Sequence, residues 1–224
     1  MQPYYIFIDT EANGMPDGDG GWTIDGQPLA MVQVSWLVHN AKRELVEKRD
    51  FYIGNADFEI SEDAIKLHGI DKDKLRQLGV DRKMALRLLQ EDLEQYKGMI
   101  VGHYIRFDMQ LLALEFERVG MYNPCANLAT CCTMQASALL VDYPFRKFYK
   151  LDELYALLFG ETNRNWHNAA EDAEATARCF YRLYDQGLIG KAFLTNNKMN
   201  RWFHLLLWVV VVGFVLFILY VITF

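Results

Sequence analysis

The sequence predicts an α/β domain followed by one apolar segment at its C-terminal end. Three observations support this prediction: a short apolar strand near the N-terminus, alternating strand and helix patterns through the middle, and an uncharged stretch at the end. With 224 residues, 52% of them hydrophobic, the chain is long enough to bury one well-formed core. Its net charge of −6 argues against a surface for long duplex nucleic acid, although a narrow site for a chain end needs less basic surface.

The first strand extends from Tyr4 to Glu11 and ends in two carboxylates that are separated by one residue. Because side chains alternate along a strand, Asp9 and Glu11 share one face and lie roughly 7 Å apart. The strand body is apolar on both faces, which is typical of a central strand that is covered on both sides. Carboxylates held this close repel each other unless a cation or a proton intervenes. Taken alone, the strand is also compatible with two ordinary surface acids.

Further strands are predicted from alternation and from turn residues. Segments 29–38 and 45–53 are predicted to form an antiparallel meander with the first strand. Segment 14–28, which is rich in glycine and aspartate, is predicted to be a loop. Segment 99–102 is apolar throughout and is predicted to be a fourth, buried strand.

Two helices are predicted between the meander and the fourth strand. The first begins at Ser61 and ends at Gly69, with acids in its first turn. The second begins near Asp81 and carries apolar residues at helical spacing. We expect that apolar stripe to face the core, and it comprises Met84, Leu88, Leu89, Leu93 and Tyr96.

A third predicted helix has an acid in its first turn. Asp108 lies at helical spacing from residues of an apolar face, namely Leu111, Leu112, Glu115, Phe116 and Val119. A carboxylate that points toward a core costs several kcal/mol if it is left unpaired. The alternative is an ordinary capping acid at the start of a helix.

The last predicted helix repeats this arrangement. Asn168 with Glu171 three residues later resembles a capping box, which places the helix start at Asn168 and leaves His167 just outside it. Asp172 then lies in the first turn, on one face with Thr176, Cys179, Phe180 and Leu183. A lone histidine at such a position is more often a surface residue, so its importance depends on the nearby acids.

Together the chain holds four carboxylates that lie at a strand end or in a first helical turn and point toward a core. A cluster of Asp9, Glu11, Asp108 and Asp172 is untenable without counter-charge. Two divalent cations, Mg²⁺ or Mn²⁺, would supply that charge, because oxygen ligands suit hard ions. A metal pair is the arrangement that holds a phosphodiester for attack by water, and the neutral imidazole of His167 would accept the proton.

Three motifs resemble those of the DEDDh 3′–5′ exonucleases, which include the proofreading subunit of bacterial DNA polymerase III. The motifs are Asp9-Thr10-Glu11 followed by Gly14, the stretch from His103 to Asp108, and the stretch from His167 to Asp172. Shorter similarities occur at His68-Gly69-Ile70 and Cys132-Thr133-Met134. The resemblance covers residues 4–185 and implies a ribonuclease-H-like fold, a mixed five-stranded sheet flanked by helices.

The resemblance also implies roles for individual residues. Asp9, Glu11, Asp108 and Asp172 would hold two metals, and His167 would be the general base. Substrate contacts would come from Thr10, Ala12, Asn13, His103 and Tyr104.

Two positions depart from the family pattern. The first motif usually continues with Thr-Thr-Gly, but this chain has Ala12-Asn13-Gly14. The second motif usually has asparagine after its histidine, but this chain has Tyr104, which offers a stacking face for a base.

The C-terminal end predicts a membrane anchor. Residues 205–224 carry no charge, and as a helix they would span about 30 Å, the thickness of a bilayer core. We therefore expect the exonuclease domain at 1–190, a juxtamembrane linker at 191–201 and a transmembrane helix at 202–224. Basic residues precede the apolar segment, which predicts that the globular part faces the cytoplasm. The four cysteines show no metal-ligand spacing and are predicted to be reduced structural thiols.

The sequence thus predicts a membrane-tethered, metal-dependent 3′–5′ exonuclease that acts on nucleic-acid 3′ ends, single-stranded ones in particular. It predicts the release of nucleoside 5′-monophosphates from DNA or RNA, and it identifies no protein partner. Two alternatives remain open: a catalytically silent, membrane-tethered adaptor that binds nucleic acid, and an exoribonuclease that acts on short RNA.

Overall fold

The computed structural model describes residues 4–16, 22–24, 26–55, 57–140, 147–162 and 165–190. The chain divides into a compact unit, Met1–Ile189, and a second unit, Gly190–Phe224, of which only Gly190 is described. The predicted linker at 191–201 and the predicted transmembrane helix at 202–224 lie outside the described residues. Among the helices that are described, none combines the length and the apolarity that a membrane crossing requires.

The described part of the chain forms a mixed five-stranded sheet and a separate two-stranded hairpin. In chain order the strands are β1 (Tyr4–Ala12), β2 (Thr23–Ile24), β3 (Gln27–Pro28), β4 (Met31–Asn40), β5 (Leu45–Tyr52), β6 (Met99–Gly102) and β7 (Thr130–Cys132). The main sheet has the order β5-β4-β1-β6-β7, in which β4 is antiparallel to β5 and β1, whereas β1, β6 and β7 are parallel. The predicted meander, the central position of β1 and the mixed sheet are therefore confirmed.

The hairpin of β2 and β3 corrects the prediction for segment 14–28, which was a loop throughout. Thr23 pairs with Pro28, and Ile24 pairs with Gln27. Strands of two residues are too short to show the alternation from which a strand is predicted.

Seven α-helices and two short 3-10 turns occur in the described residues. They are α1 (Glu62–His68), α2 (Lys72–Leu78), α3 (Arg82–Tyr96), α4 (Arg106–Arg118), α5 (Thr133–Ser137), α6 (Leu151–Phe159) and α7 (Ala169–Asp185), with turns at Pro124–Asn127 and Ala138–Leu140. Ser61 caps α1 by accepting a hydrogen bond from the backbone N–H of Ala64, and α1 ends at Gly69, whose φ of 66° suits glycine. Both predicted ends of this helix are confirmed.

The two faces of β1 are covered by different helices. Phe180 of α7 packs on Tyr5 and Phe7, with ring centroids 5.1 and 5.5 Å apart. Ile6 and Ile8 point to the opposite face, where they join a buried cluster with residues of α3 and α4, including Leu86, Leu89, Leu111, Leu112 and Phe116. This burial of apolar side chains on both faces stabilises the centre of the sheet.

The buried face of α3 matches the predicted stripe in part. Leu89 and Leu93 are buried, and Leu88 and Tyr96 pack against the core. Met84 is 41% exposed, whereas Arg82 and Asp92 are buried. Asp92 accepts hydrogen bonds from the indole N–H of Trp36 at 2.9 Å and from Arg49 at 2.9 Å. Because such partners make burial of charged groups tolerable, the helix is rotated relative to the orientation that apolarity alone predicts. All four cysteines are free and buried, as expected for structural thiols.

Candidate active site

The end of β1 supplies the first group of predicted site residues. By strand alternation Asp9 and Glu11 lie on the face that α7 covers, and Thr10 lies on the other face. Glu11 pairs with Gln33 of β4, and the register shifts immediately afterwards, at Ala12. A register shift next to a functional group is a common way to redirect a strand end.

Asp108 lies in the first turn of α4 and is connected directly to β1. The hydroxyl of Thr10 donates a 2.8 Å hydrogen bond to Oδ1 of Asp108, and both residues are buried. The buried side of α4 carries Asp108 together with Leu111, Leu112, Glu115 and Phe116, as the helical spacing predicted. The bond joins two motifs that lie 98 residues apart in the sequence.

Asp172 and His167 flank the start of α7. The side chain of Asn168 caps the helix by accepting from the backbone N–H groups of Ala170 and Glu171, which confirms the predicted helix start. The backbone N–H of His167 donates to Oδ2 of Asp172 at 3.1 Å, and His167 has a positive φ of 61°.

Gln33 attaches the start of α7 to the sheet. Its Oε1 accepts from the backbone N–H of Ala169 at 3.3 Å, and its Nε2 donates to Asp50 at 2.8 Å. Because Gln33 is also the strand partner of Glu11, it places the start of α7 beside the end of β1. Ligand atoms of Glu11, His167 and Asp172 consequently lie within 4.8 Å of one another.

The carboxylates raise one another's proton affinity. Burial raises the pKa of Asp9 well above its usual range, and the charges of Asp108, Asp172 and Glu11 raise it further. Burial, followed by the charges of Asp172 and Asp108, raises the pKa of Glu11 to about 8. Burial raises the pKa of Asp108 to about 7, although its hydrogen bond from Thr10 opposes the shift. This cluster therefore has an excess of negative charge, and its oxygen donors are those that hard divalent cations prefer.

All of the predicted residues except Asn13 line two adjoining cavities. One cavity of about 450 Å³ is lined by Asp9, Thr10, His103, Tyr104, Asp108, His167 and Asp172, together with apolar and charged residues from other elements. We call this cavity the cleft. A second cavity of about 490 Å³ is lined by Glu11 and Ala12, and both cavities share Met15, Leu67 and Phe107. Tyr104 is 47% exposed, so its ring is available at the cleft.

His103 has both ring nitrogens engaged with protein atoms. Its Nε2 lies 3.0 Å from the carbonyl of Tyr149, which requires the Nε2–H donor form, and its Nδ1 lies 3.0 Å from the hydroxyl of Thr133. Burial lowers the pKa of His103 to about 4, so the ring is neutral at pH 7. The predicted substrate contact of His103 stays a prediction, and the observed contacts give it a structural role.

Asn13 is also held by contacts within the protein. Its side-chain oxygen accepts from the N–H of Ala30 at 2.8 Å, and its Nδ2 donates to the carbonyl of Glu59 at 2.8 Å. Its backbone N–H donates to Ala30, and its carbonyl accepts from Ser61. Asn13 therefore stabilises the loop after β1, and a contact between Asn13 and a nucleotide stays a prediction.

The carbonyl of Ala12 is bound by a histidine from α1. His68 Nε2 lies 3.1 Å from that carbonyl, while His68 Nδ1 accepts from the backbone N–H of Ile70 at 3.0 Å. The second contact requires Nδ1 to be unprotonated, so Nε2 carries the proton and donates to Ala12. His68 thus holds the strand end at the residue that follows Glu11.

Several residues of the cleft were not predicted from the sequence. Lys150 and Asp152 at the start of α6, Trp166 before α7, and Met15 and Leu67 all line it. Their sequence positions carry no motif, and nothing local indicates that α6 begins beside the end of β1. The one local signal at Lys150 is that two other basic residues precede it, at positions 146 and 147.

The RNase_T exonuclease family model matches residues 6–180, so the chain belongs to this family. With the fold described above, it is a DEDDh-type exonuclease domain of the ribonuclease-H-like class.

Among curated proteins, the chain is similar to the PolC-type DNA polymerase III of Caldanaerobacter subterraneus subsp. tengcongensis. The identity is 28% over 145 residues, which cover 64% of this chain and 10% of that polymerase. The chain therefore corresponds to a small part of that protein.

Solved structures of Escherichia coli exonuclease I share the fold. A zinc-bound complex with single-stranded DNA matches with a TM-score of 0.67 at 20% identity, covering 83% of this chain and 41% of that one. A complex with a dA16 oligonucleotide matches with a TM-score of 0.63 at 18% identity over the same shares of the two chains. The chain spans less than half the length of these exonuclease I chains.

Proposed function

We propose that this chain is a metal-dependent 3′–5′ exonuclease that removes nucleotides from the 3′ ends of single-stranded DNA. The convergence of Asp9, Glu11, Asp108, Asp172 and His167 at one end of the sheet carries this proposal. The choice of single-stranded DNA is supported by the exonuclease I complexes, which contain single-stranded DNA.

Asp9, Glu11, Asp108 and Asp172 are the residues that would hold two divalent cations, Mg²⁺ or Mn²⁺. The oxygen donors and the raised pKa values of three of these acids fit such ions. When bound, the cations would supply positive charge that stabilises an in-line displacement at the phosphate. The hydrogen bond from Thr10 limits the orientations of Asp108 and so prepares this ligand.

His167 is the proposed general base. Burial lowers the pKa of His167 from its ordinary value of 6.5, and the charge of Asp152 opposes this shift. The ring is therefore neutral at pH 7 and accepts a proton from water as the water oxygen bonds to phosphorus. The bond from phosphorus to the 3′ oxygen of the preceding nucleotide breaks, that oxygen takes a proton from solvent, and a nucleoside 5′-monophosphate leaves.

The cleft provides apolar and aromatic surface for the terminal nucleotide. Tyr104 and Phe107 line it beside Asp9 and Asp108, and the exposed ring of Tyr104 offers a stacking face for a base. Stacking is tolerant of sequence because every base has a π-face, which suits an exonuclease that removes one nucleotide after another.

We also propose that residues 202–224 place this nuclease at a membrane, with the domain facing the cytoplasm. The support is the uncharged sequence 205–224, the tryptophans at positions 202 and 208, and the basic residues before them. This proposal is independent of the chemistry at the site.

The proposed activity is tested with the full-length chain and 5′-labelled single-stranded DNA, duplex DNA and RNA. Each substrate is incubated with Mg²⁺, with Mn²⁺ or with chelator. A ladder that shortens from the 3′ end only with metal, most rapidly on single-stranded DNA, is the expected result. Preferential shortening of RNA would favour the exoribonuclease, whereas binding without shortening would favour the silent adaptor.

A further inference from the structure

The cleft is lined by more acidic than basic side chains. Its lining includes four carboxylates, those of Asp9, Asp108, Asp152 and Asp172. Lys150 is the one lysine or arginine among the described lining residues. A nucleic-acid strand brings further negative charge with each phosphate, so this lysine is the protein cation best placed to meet it.

The backbone at Lys150 is fixed on both sides. The carbonyl of Tyr149 accepts from His103 Nε2 at 3.0 Å, and the N–H of Tyr149 donates to Ser137 Oγ at 3.3 Å. The N–H of Lys150 donates to Glu153 Oε2 at 3.1 Å, and its carbonyl accepts from the N–H of Leu154 at 2.8 Å. These bonds hold the Cα of Lys150 at the start of α6, beside the cleft.

A second lysine three residues earlier shows a different arrangement. Lys147 Nζ lies 3.1 Å from Glu153 Oε2 and 4.7 Å from the ring centroid of Tyr149. Lys147 does not line the cleft, and its charge is already paired. Within the described residues Lys150 Nζ forms no ion pair. Lys150 lines the same cavity as Asp9, His167 and Asp172, so its charge lies at the wall of the proposed active site.

We propose that Lys150 binds a non-bridging oxygen of a backbone phosphate near the 3′ end of the substrate, and that His103 is the positioning residue for this contact. This inference rests on the proposed exonuclease function. A lysine ammonium recognises phosphate as a point charge, so the contact contributes affinity for any sequence. His103 acts through the carbonyl of Tyr149, and its contact with Thr133 keeps its ring in place.

The test is binding of a fluorescein-labelled oligothymidylate to the full-length chain over a range of salt concentrations. A phosphorothioate at the 3′-terminal linkage slows hydrolysis, and Ca²⁺ replaces Mg²⁺. Lys150→Ala should raise Kd about tenfold, since it removes one charge-assisted hydrogen bond. The slope of log K against log salt should decrease in magnitude by about 0.7, the value for one phosphate contact on a single strand. Lys150→Arg should retain most of the affinity and the whole slope.

Lys147→Ala is the matched control, because it removes an equal charge from the same segment outside the cleft. It should leave Kd and slope at the wild-type values. His103→Gln should weaken binding as Lys150→Ala does, and the double variant should be no weaker than Lys150→Ala, because both changes remove one contact. With Mg²⁺ and a cleavable oligothymidylate, Lys150→Ala should raise KM more than it lowers kcat.

Wild-type affinity and slope in Lys150→Ala, or equal losses in Lys147→Ala and Lys150→Ala, would overturn the phosphate contact. Additive losses in the double variant would overturn the role of His103. If the wild type cleaves the oligothymidylate and Lys150→Ala behaves like it, only the present inference fails. If binding depends on Lys150 and no metal supports cleavage, the proposed exonuclease function fails and the phosphate contact stands.

Discussion

The backbone N–H of His167 donates a 3.1 Å hydrogen bond to Oδ2 of Asp172, so the proposed base and a proposed metal ligand are joined at the start of α7. The bond depends on the positive φ of His167, a conformation that histidine, asparagine and aspartate adopt more readily than most residues do. One local backbone geometry therefore places both groups.

This geometry determines the best substitution for His167. His167→Asn should keep the backbone and the bond to Asp172 while removing the imidazole. We expect kcat to fall about 10²-fold or more, the usual contribution of a general base, with an unchanged melting temperature. Single-turnover cleavage of single-stranded DNA measures the effect. A variant that retains wild-type kcat would remove His167 as the base.

The pH dependence of cleavage provides a second test of His167. Burial lowers the pKa of His167 below 6.5, so the neutral, proton-accepting form is present at pH 7 and is lost only at lower pH. At saturating Mg²⁺, kcat should be constant from about pH 7 to 8 and should decline below about pH 6.5. His167→Asn should lack this decline. A wild-type profile that stays flat down to about pH 5, with chemistry rate-limiting, contradicts the assignment.

The raised carboxyl pKa values predict how pH affects the stability of the metal-free protein. Glu11 and Asp108 have pKa values of about 8 and about 7 in the folded state, above the ordinary values of 4.5 and 3.8. Their contribution to stability is fully present below the ordinary values and is lost as pH rises through the folded-state values. Bound Mg²⁺ should offset this loss. The rise in melting temperature on addition of Mg²⁺ should therefore be larger at about pH 8 than at about pH 5.

The matched control is the double variant Glu11→Gln and Asp108→Asn. In this variant the increase in melting temperature caused by Mg²⁺ should depend little on pH, because neutral side chains neither titrate nor bind the cation strongly. An increase that is independent of pH in the wild type would contradict the proposed metal cradle.

The hydrogen bond between Thr10 and Asp108 can be tested with a pair of variants. Thr10→Val conserves shape but leaves Asp108 without a 2.8 Å bond, so the Mg²⁺ concentration for half-maximal activity should rise about tenfold. Thr176→Val is the matched control. Thr176 is fully buried on α7, and its hydroxyl has no hydrogen-bond partner within the described residues. Its replacement should leave activity unchanged and stability equal or higher.

Equal Mg²⁺ requirements in Thr10→Val and the wild type would show that the bond does not prepare the ligand. A strong loss of activity in Thr176→Val would show that any change in this buried region disturbs the site.

The membrane proposal predicts the distribution of the chain between cell fractions. The wild type should sediment with membranes and resist alkaline extraction, whereas deletion of 205–224 should move it to the soluble fraction. Phe214→Lys is a variant of equal length that places a charge in the centre of the segment, at a cost of about 3 kcal/mol for insertion. It should weaken membrane association. A soluble wild-type chain would contradict the proposal.

Much of the site was predictable because its acids occupy positions that local rules describe. Strand alternation places Asp9 and Glu11 on one face, and helical spacing places Asp108 and Asp172 on apolar faces that must be buried. The cap at Asn168 defined the start of α7 without tertiary information.

The supporting contacts were not predictable, because they join distant parts of the chain. Gln33 reaches Ala169, and His68 reaches Ala12, through pairings that follow only from the assembled sheet. The rotation of α3 that exposes Met84 has the same origin, since the hydrogen-bond partners of the buried Asp92 come from β4 and β5. Local propensity yields to such tertiary contacts.

The four carboxylates are proposed to form a metal-dependent nuclease site. The most direct measurement is release of the terminal nucleotide from 3′-end-labelled single-stranded DNA by the full-length chain and by its Asp9→Asn variant. We expect a 5′-monophosphate product with Mg²⁺ or Mn²⁺ and none with chelator. The rate should be at least about 10³-fold lower in the variant, since one metal ligand is lost. No metal-dependent release by the wild type, or equal release by the variant, would contradict it.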